Sequence, residues 1–320
     1  MKILMMAIND PAGTAIQMCK ALNAYTDHTA RLVTLETRYT HSWEKDLHLP
    51  DMGDAELEEL RDLFVGSDVF HFHMTCDEFQ PFGPFIPADY LEGKMIVHHH
   101  HGHHDFRSNP KSFSEKYARL GRTNLLVSTP DLLKLLPEAR WQPNFVPVND
   151  PDFMPYSGDK GADQLLVAHS PTRKDLKNTD DLLAVYETLR QEKQLGVQLD
   201  LIDDVPNLEC LQRKQKCHVL FDHMQGYYGV SSLEGLSQGL AVIAGVDEWN
   251  KQNIIEFTGT DKLPWVVAKN RQELQDTMEE LVCDVEKSLE IGIKSRAFME
   301  DYWSDKHAIG HMNEFYSALA

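Results

Sequence analysis

Short apolar runs alternate along the chain with longer stretches whose apolar residues recur at helical spacing. The first half predicts strands at 2–7, 30–35, 68–73, 94–99 and 124–128. Helices are predicted between them at 14–24, 54–65, 112–120 and 131–136. Strands that alternate with helices form parallel sheets covered on both faces, so this half predicts an α/β domain.

A proline-rich segment interrupts this pattern before it resumes. Four prolines fall within residues 141–156, which excludes a helix there and is typical of an interdomain connection. The second half predicts strands at 164–169, 197–202, 218–221, 240–244 and 265–268, and helices at 180–192, 207–216, 231–238 and 271–300. The sequence thus predicts two doubly wound, Rossmann-like domains, 1–150 and 151–302, with a terminal helix over 303–320 that is expected to pack back on the first.

Composition and charge narrow the class of protein. With 320 residues, of which 42% are apolar, the chain can build two hydrophobic cores. Its 31 basic and 50 acidic residues give a net charge of −19, which disfavours nucleic acid as a partner. Five scattered cysteines without a C-x-x-C pair, together with the lack of a leader or a spanning apolar run, predict a cytoplasmic protein with reduced thiols.

The strongest candidate site lies in the segment 218–239. A predicted strand ends at Asp222, a loop follows through Gly226 and Gly229, and a helix begins with Val230 and Ser231. The first turn of a helix offers backbone N–H groups without intrahelical partners and the positive end of a dipole. This arrangement predicts a phosphate site.

Glu234 lies in the first turn of that predicted helix, where its carboxylate can accept hydrogen bonds from two ribose hydroxyls. Ser231 and Glu234 also have the S-x-x-E spacing of a capping box, in which the glutamate closes the helix N-terminus. The residues alone leave both interpretations open.

A second candidate segment, HSPTRKDLK, begins where the next predicted strand ends at His169. Arg173 offers a bidentate fork and Lys177 a point charge, and together they can clamp a diphosphate. His169 and Thr172 are assigned to the same nucleotide site. The alternative is that the cations form solvated pairs, since Asp175 lies between them.

The histidine run VHHHHGHHDFR places six histidines within residues 98–104. Alternate side chains of a strand face opposite ways, so the run cannot present every imidazole to one ion. A zinc site needs three or four convergent ligands, to which Asp105, His71 and His73 could add. We expect no metal site in this protein.

The loop NDPAGT follows the first predicted strand. Gly13 in this loop lets another group approach the backbone closely. The loop is therefore either part of a ligand site or a plain turn. The G-x-G-x-x-G fingerprint and the P-loop pattern are absent, which disfavours NAD enzymes and P-loop NTPases. The lack of G-x-S-x-G and H-E-x-x-H disfavours two large hydrolase classes.

The two C-terminal segments, HSPTRKDLK and DHMQGYYGVSSLEGLSQG, resemble the donor half of glycosyltransferase family 4, a retaining group with the GT-B fold. Members carry H-x-P-T/S-x-R-x-x-x-K and D-x-x-x-G-W/Y-Y-G-x-x-x-x-E-x-x-x-x-G at these places. The resemblance implies an acceptor-side and a donor domain that face each other across a cleft. It also implies that Arg173 and Lys177 hold the donor diphosphate and that Glu234 binds the donor ribose.

The resemblance extends to the first half less specifically. His101 and Gly102, with Asp105 and Arg107 after them, resemble the H-G-x-D/E segment of the family with one additional residue. This implies that His101 lies beside the donor sugar at the reacting carbon, and that the loop with Gly13 lies next to donor and acceptor.

One position departs from the family pattern. Many members carry two acidic residues eight positions apart, the first of which contacts the transferred sugar, but here the first position is Gly226. Either Asp222 or backbone groups near Gly229 take its place, or the sugar is held differently.

The expected reaction moves a sugar from a UDP- or GDP-linked donor to a hydroxyl of a glycan or lipid-linked acceptor, with retention of configuration as the resemblance implies. Because Arg173 and Lys177 supply positive charge, no metal or other cofactor is expected. Three alternatives remain: a nucleotide-sugar epimerase of the same fold, an inactive GT-B protein that binds nucleotides, and a histidine-rich metal-binding protein.

A local concentration of basic residues follows the histidine run. It comprises Arg107, Lys111, Lys116, Arg119 and Arg122, interleaved with Phe106, Phe113 and Tyr117. In so acidic a chain, this patch predicts an anionic acceptor or peripheral contact with an anionic membrane. A solvated basic helix face is the alternative.

Overall fold

The computed structural model describes residues 1–38 and 44–319. The chain divides into two compact units, Met1–Asn144 together with Asp305–Ala320, and Phe145–Ser304. The division after Asn144 therefore falls inside the proline-rich segment. Among the described residues, no helix is both long and apolar enough to cross a membrane.

The first unit contains a parallel sheet of seven strands. The strands are β1 (Lys2–Ala7), β2 (Thr29–Thr34), β3 (Leu47–His48), β4 (Val69–His73), β5 (Met95–His100), β6 (Leu125–Val127) and β7 (Arg140–Trp141). Their order across the sheet is β3-β2-β1-β4-β5-β6-β7. The helices of Met1–Asn144 are α1 (Thr14–Tyr25), α2 (Asp54–Gly66), α3 (His104–Ser108) and α4 (Pro110–Leu120).

The second unit contains a parallel sheet of five strands, in the order β12-β11-β10-β8-β9. These are β8 (Leu165–His169), β9 (Val197–Leu201), β10 (Val219–Phe221), β11 (Ala241–Ala244) and β12 (Val266–Val267). Its helices are α5 (Thr179–Glu187), α6 (Asn207–Gln215), α7 (Val230–Ser237), α8 (Glu248–Thr258), α9 (Arg271–Cys283) and α10 (Val285–Tyr302). The predicted α/β class is confirmed.

The last helix, α11 (Asp305–Ser317), packs in the first unit. The Tyr316 hydroxyl lies 2.5 Å from Nδ1 of His71 on β4, and Gln142 donates to the carbonyl of Ala308 at 3.1 Å. The final residue of the predicted helix, 320, lies outside the described residues.

Burial on both faces explains why the central strands are continuously apolar. In β1, residues Ile3 through Ala7 are buried, and in β11 all four residues are buried. Phe64 of α2 covers one face of the first sheet, where its ring meets that of Phe70 edge-on at 5.6 Å. A parallel sheet buried on both sides requires this composition.

Three predicted helices differ in the structure. The helix predicted at 180–192 is α-helical only over Thr179–Glu187 and continues as a π-helical turn, Thr188–Glu192. The helix predicted at 131–136 is a short 3₁₀ turn, Pro130–Lys134. The helix predicted at 271–300 is two helices, because Asp284 leaves the helical conformation and its carboxylate accepts a hydrogen bond from the Lys287 N–H at 3.1 Å. Aspartate is a favoured N-cap residue, so it begins α10 where apolar periodicity alone suggests continuation.

Gly292 of α10 packs directly against the backbone of Gly239. A Cβ at this position would lie 2.1 Å from the Gly239 carbonyl oxygen. Because that oxygen belongs to the backbone, we expect Gly292→Ala to lower the free energy of unfolding by about 1–3 kcal/mol.

Gly310 of α11 is the matched control, since a Cβ there meets nothing within 4 Å. Gly310→Ala is expected to stabilise by up to about 1 kcal/mol. Urea unfolding of both variants tests the prediction, and equal effects would contradict it.

Candidate functional site

The candidate site of the second unit lies at the carboxyl ends of β8 and β10, which are neighbours in the sheet. His169 ends β8 and is 1% exposed. Its Nδ1 lies 2.9 Å from the Phe221 carbonyl oxygen, and its Nε2 lies 2.9 Å from the Thr179 hydroxyl. Burial lowers the pKa of this imidazole to about 4. His169 therefore joins the two strand ends to α5, and both of its ring nitrogens serve the fold.

Asp222 follows β10 and organises the loop that leads to α7. Its buried carboxylate accepts hydrogen bonds from Lys177 Nζ at 2.8 Å, the Gly229 N–H at 2.6 Å and the Ser232 hydroxyl at 2.8 Å. Burial by itself would raise the pKa of Asp222, but the neighbouring His223 and Lys177 and the hydrogen bonds hold it well below its usual range. Asp222 is thus an ionised anchor that positions Lys177 beside the start of α7.

Glycines allow this loop to fold tightly. Gly229 is the N-cap residue of α7, and a Cβ there would lie 3.1 Å from both Lys177 Nζ and an Asp222 oxygen. Gly226 adopts a φ of +89°, and its carbonyl accepts hydrogen bonds from the Asp247 N–H at 2.8 Å and from Asn250 at 2.9 Å. A side chain at Gly226 would point toward the Asp247 carboxylate, 3.6 Å from the Cβ position. An acidic group therefore lies beside the position that departs from the family pattern.

Glu234 pairs with a buried lysine and does not form a capping box. With Gly229 as N-cap, the third helical residue is Ser232, so Glu234 lies too far along α7 to close its N-terminus. Its Oε2 instead accepts a hydrogen bond from Lys214 Nζ at 2.5 Å, and the same ammonium donates to Ser231 Oγ at 2.9 Å. Lys214 is 2% exposed. The capping interpretation is wrong.

The Glu234 carboxylate determines the charge of Lys214. Burial disfavours the ammonium, but the adjacent carboxylate raises the pKa of Lys214 above its usual value. This pair could not be predicted directly from the sequence, because a lysine in a helix is ordinarily solvated. The spacing along α6 could have indicated that Lys214 is buried. Lys214 follows the buried Leu211 by three positions and therefore lies on the same face of the helix.

Arg173 is part of an exposed ion pair. Its guanidinium donates to Asp175 from Nε at 2.9 Å and from Nη2 at 2.6 Å. Thr172 beside it is also exposed. The structure therefore brings Lys177, Asp222 and the start of α7 together. Arg173 instead forms a solvated ion pair with Asp175, which was the alternative interpretation of this segment.

In the first unit, Gly13 begins α1 with a φ of +64°. The Asp10 carboxylate accepts hydrogen bonds from the N–H groups of Ala15 at 3.2 Å and Ile16 at 3.0 Å. Burial raises the pKa of Asp10. This helix N-terminus is thus capped by a side chain of the protein, which favours the plain-turn interpretation of the loop.

His101 follows β5 in a chain of hydrogen bonds. Its Nε2 lies 2.9 Å from Nδ1 of His73, and its Nδ1 lies 3.1 Å from Oδ1 of Asn144. Burial lowers the pKa of His101 to about 4, so the imidazole is neutral at pH 7. Beside it, Arg107 donates to the Gly102 carbonyl at 3.1 Å and to Asp131 at 2.6 Å.

Arg107, Lys116 and Arg122 of the basic segment lie in ion pairs with acidic side chains. Lys116 pairs with Asp77 at 2.5 Å, Arg122 with Glu78 at 2.5 Å, and Arg107 with Asp131. Phe106 and Tyr117 are buried in the core of the first unit. These pairs favour the alternative, a basic helix face balanced by acidic side chains from other parts of the unit, and the anionic-acceptor patch stays a prediction.

Solved structures of low sequence identity share this fold. A glycosyltransferase from Rickettsia africae matches with a TM-score of 0.62 and 10% identity, covering 99% of this chain and 98% of that one. HepE from Anabaena, in complex with UDP and glucose, matches with a TM-score of 0.63 and 12% identity, covering 99% and 100%. No protein-family model and no curated protein matches the sequence. The chain has the GT-B fold of these glycosyltransferases.

Proposed function

We propose that the protein is a glycosyltransferase that moves a sugar from a nucleoside diphosphate sugar, UDP- or GDP-linked, to a hydroxyl acceptor. The observation that carries the proposal is the arrangement at the carboxyl end of the second sheet. There Lys177 contacts Asp222 beside the start of α7. Glu234 of the same helix is held in place by Lys214. The UDP and glucose bound to HepE, which has the same fold, support the choice of ligand.

The diphosphate is assigned to Lys177 and the N-terminus of α7. The Lys177 side chain is 23% exposed while it contacts Asp222, so its ammonium can also reach a ligand. The first N–H groups of α7, at Val230 and Ser231, have no intrahelical acceptors and lie at the positive end of the helix dipole. Arg173 can leave its exposed pair with Asp175 to add a second cation.

The donor ribose is assigned to Glu234. Lys214 occupies Oε2, which leaves Oε1 to accept from a ribose hydroxyl. A carboxylate fixed by a buried ammonium and by the packing of α7 has little freedom to move. Such preorganisation lowers the cost of binding.

In the proposed reaction the anomeric C–O bond to the diphosphate breaks and a new C–O bond forms to the acceptor hydroxyl oxygen. The hydroxyl proton passes to the leaving diphosphate, on which negative charge develops. Lys177, Arg173 and the dipole of α7 stabilise this charge, and they do so most strongly in the transition state. Retention of configuration is part of the proposal and rests on the sequence resemblance alone. The acceptor is proposed only as a hydroxyl compound.

A screen of UDP- and GDP-sugars tests this function, with released nucleoside diphosphate measured with and without acceptor extracts. A transferase releases diphosphate faster when the acceptor is present. A nucleotide-binding protein without activity would show a rise in melting temperature with UDP or GDP, but no release. That second outcome would overturn the proposed transfer while leaving the proposed nucleotide site.

The proposed transfer uses no metal, because side chains and a helix dipole supply the positive charge. We therefore expect EDTA to leave the initial rate of sugar transfer unchanged within twofold, relative to buffer alone. The measurement is steady-state release of nucleoside diphosphate by untagged protein. A loss of activity that magnesium or manganese restores would contradict this prediction.

A further inference from the structure

We propose that His71, His73 and His99 bind a divalent transition metal ion, for which Zn²⁺ is the probe. One ring nitrogen from each residue lies within 4.8 Å of the others. The site belongs to the first unit, and the proposal does not depend on the transferase activity proposed above.

The sheet brings these residues together from two strands. β4 and β5 pair in parallel, with His73 opposite His99 and His71 opposite Val97. The rings of His71 and His73 stack with centroids 4.3 Å apart, and that of His99 lies 5.4 Å from His71. The histidine run therefore supplies one ligand, and the neighbouring strand supplies two.

Alternation along β5 separates His98 and His100 from His99. His98 lies 3.4 Å from Glu78, and His100 lies 2.8 Å from the Tyr117 hydroxyl. These contacts are on the opposite face of the sheet from His99. In this geometry the histidines of the run cannot all bind one ion, because alternate side chains of β5 face opposite ways. That restriction does not apply to His71, His73 and His99, which come from two neighbouring strands.

Hydrogen bonds give His73 a free lone pair. Oδ1 of Asn144 can only accept, so Nδ1 of His101 carries a proton and donates to it. Nε2 of His101 then accepts from the Nδ1–H of His73. This leaves Nε2 of His73 deprotonated, which is the form that binds a metal.

His71 has an equivalent arrangement. Its Nδ1 lies 2.5 Å from the Tyr316 hydroxyl of α11. When Nδ1–H donates to that oxygen, Nε2 carries the lone pair. Histidines that bind metals usually donate their other ring N–H to such an outer partner, which fixes the ring orientation.

Four ring nitrogens of the three histidines have no hydrogen-bond partner among the described residues. These atoms are Nε2 of His71, Nε2 of His73 and both ring nitrogens of His99. All three residues are 2% exposed or less, and buried polar atoms nearly always have a partner.

Three neutral imidazoles suit Zn²⁺ in tetrahedral coordination, with the fourth position left for solvent. At Zn–N distances of about 2.0–2.1 Å the ligand nitrogens are about 3.3 Å apart. The rings of His71, His73 and His99 must turn out of their stacked arrangement to direct their lone pairs at one ion. The ion would tie β4 to β5 and, through Tyr316, to α11. We assign it a structural role.

The test uses untagged full-length protein treated with chelator and then titrated with Zn²⁺. We expect one zinc per chain by elemental analysis after gel filtration, and a melting temperature that rises with zinc concentration. His99→Leu removes a ligand without breaking a hydrogen bond between described residues. Zinc affinity should fall at least 10- to 100-fold, while the metal-free protein keeps its stability.

A double variant, His307→Ala with His311→Ala, is the control for surface binding. These histidines are exposed on α11 with ring centroids 5.5 Å apart, and they can attract zinc without a built site. The control should bind zinc at the buried cluster as the parent does. Absence of retained zinc, or equal affinity of His99→Leu and parent, would overturn the proposal.

If His99→Leu does not fold, anomalous scattering from a zinc-soaked crystal of the parent protein tests whether the site binds zinc. An ion among His71, His73 and His99 supports the site. Zinc found only at His307 and His311, or no anomalous signal at the buried cluster, overturns it.

Discussion

Lys214→Met is expected to lower the free energy of unfolding by about 3–5 kcal/mol, because it leaves Glu234 in the interior without its counter-charge. Affinity for UDP or GDP should fall at the same time, since the carboxylate is no longer held in place. Urea unfolding and calorimetry measure the two effects. Lys216→Met is the matched control, an exposed lysine at the end of α6 whose removal should change stability by less than about 0.5 kcal/mol.

A double variant separates the two roles of this pair. Lys214→Met with Glu234→Leu replaces both charges by apolar groups, which is often neutral for stability. We expect it to regain most of the lost stability but to show no nucleotide binding. A double variant that binds UDP or GDP as the parent does would exclude Glu234 as the ribose ligand. Parental stability of Lys214→Met alone would exclude the buried ion pair.

Lys177→Ala is expected to weaken binding of the nucleoside diphosphate by roughly 10- to 100-fold, the loss of a charge-assisted contact of about 1.5–3 kcal/mol. Stability should fall as well, because buried Asp222 loses a counter-charge, but by less than in Lys214→Met, because Asp222 keeps its hydrogen bonds from Gly229 and Ser232. Calorimetric titration with UDP and GDP measures the affinity.

Lys174→Ala provides the comparison for this charge. Lys174 lies three positions earlier, is exposed and pairs with Asp203. Its removal alters net charge by the same amount but should leave affinity within about twofold of the parent, since exposed pairs contribute little. Similar losses in both variants would mean that Lys177 acts through general charge and makes no specific contact.

The sequence predicted most of the two sheets because their strands are buried on both faces and therefore read as apolar runs. It missed β3 and β7, which contain only Leu47–His48 and Arg140–Trp141. Neither pair belongs to an apolar run, whereas β12, also two residues at a sheet edge, lies within the predicted apolar run 265–268. It also joined α9 to α10, where the side chain of Asp284 rather than a change in hydrophobicity begins the second helix.

Errors at the candidate site have a different origin. A pattern within one segment of the sequence does not show which side chain elsewhere in the chain each residue contacts. The capping interpretation of Glu234 required a helix start at Ser231, whereas Gly229 begins the helix and Lys214 contacts the carboxylate. The basic segment appeared unbalanced because its partners Asp77 and Asp131 lie far along the chain. These contacts depend on strand register and loop packing, which no single segment specifies.

The return of α11 to the first unit has a consequence for synthesis of the protein. Residues up to Asn144 leave the ribosome first, but the helix that contacts His71 follows only after the whole of Phe145–Ser304. At roughly 5–20 residues per second, this interval lasts about 10–30 s. During that time the buried face that Ile309, Met312 and Phe315 cover stays open to solvent. The second unit, contiguous in sequence, is complete before the first, so the nascent N-terminal half is where a chaperone would be needed.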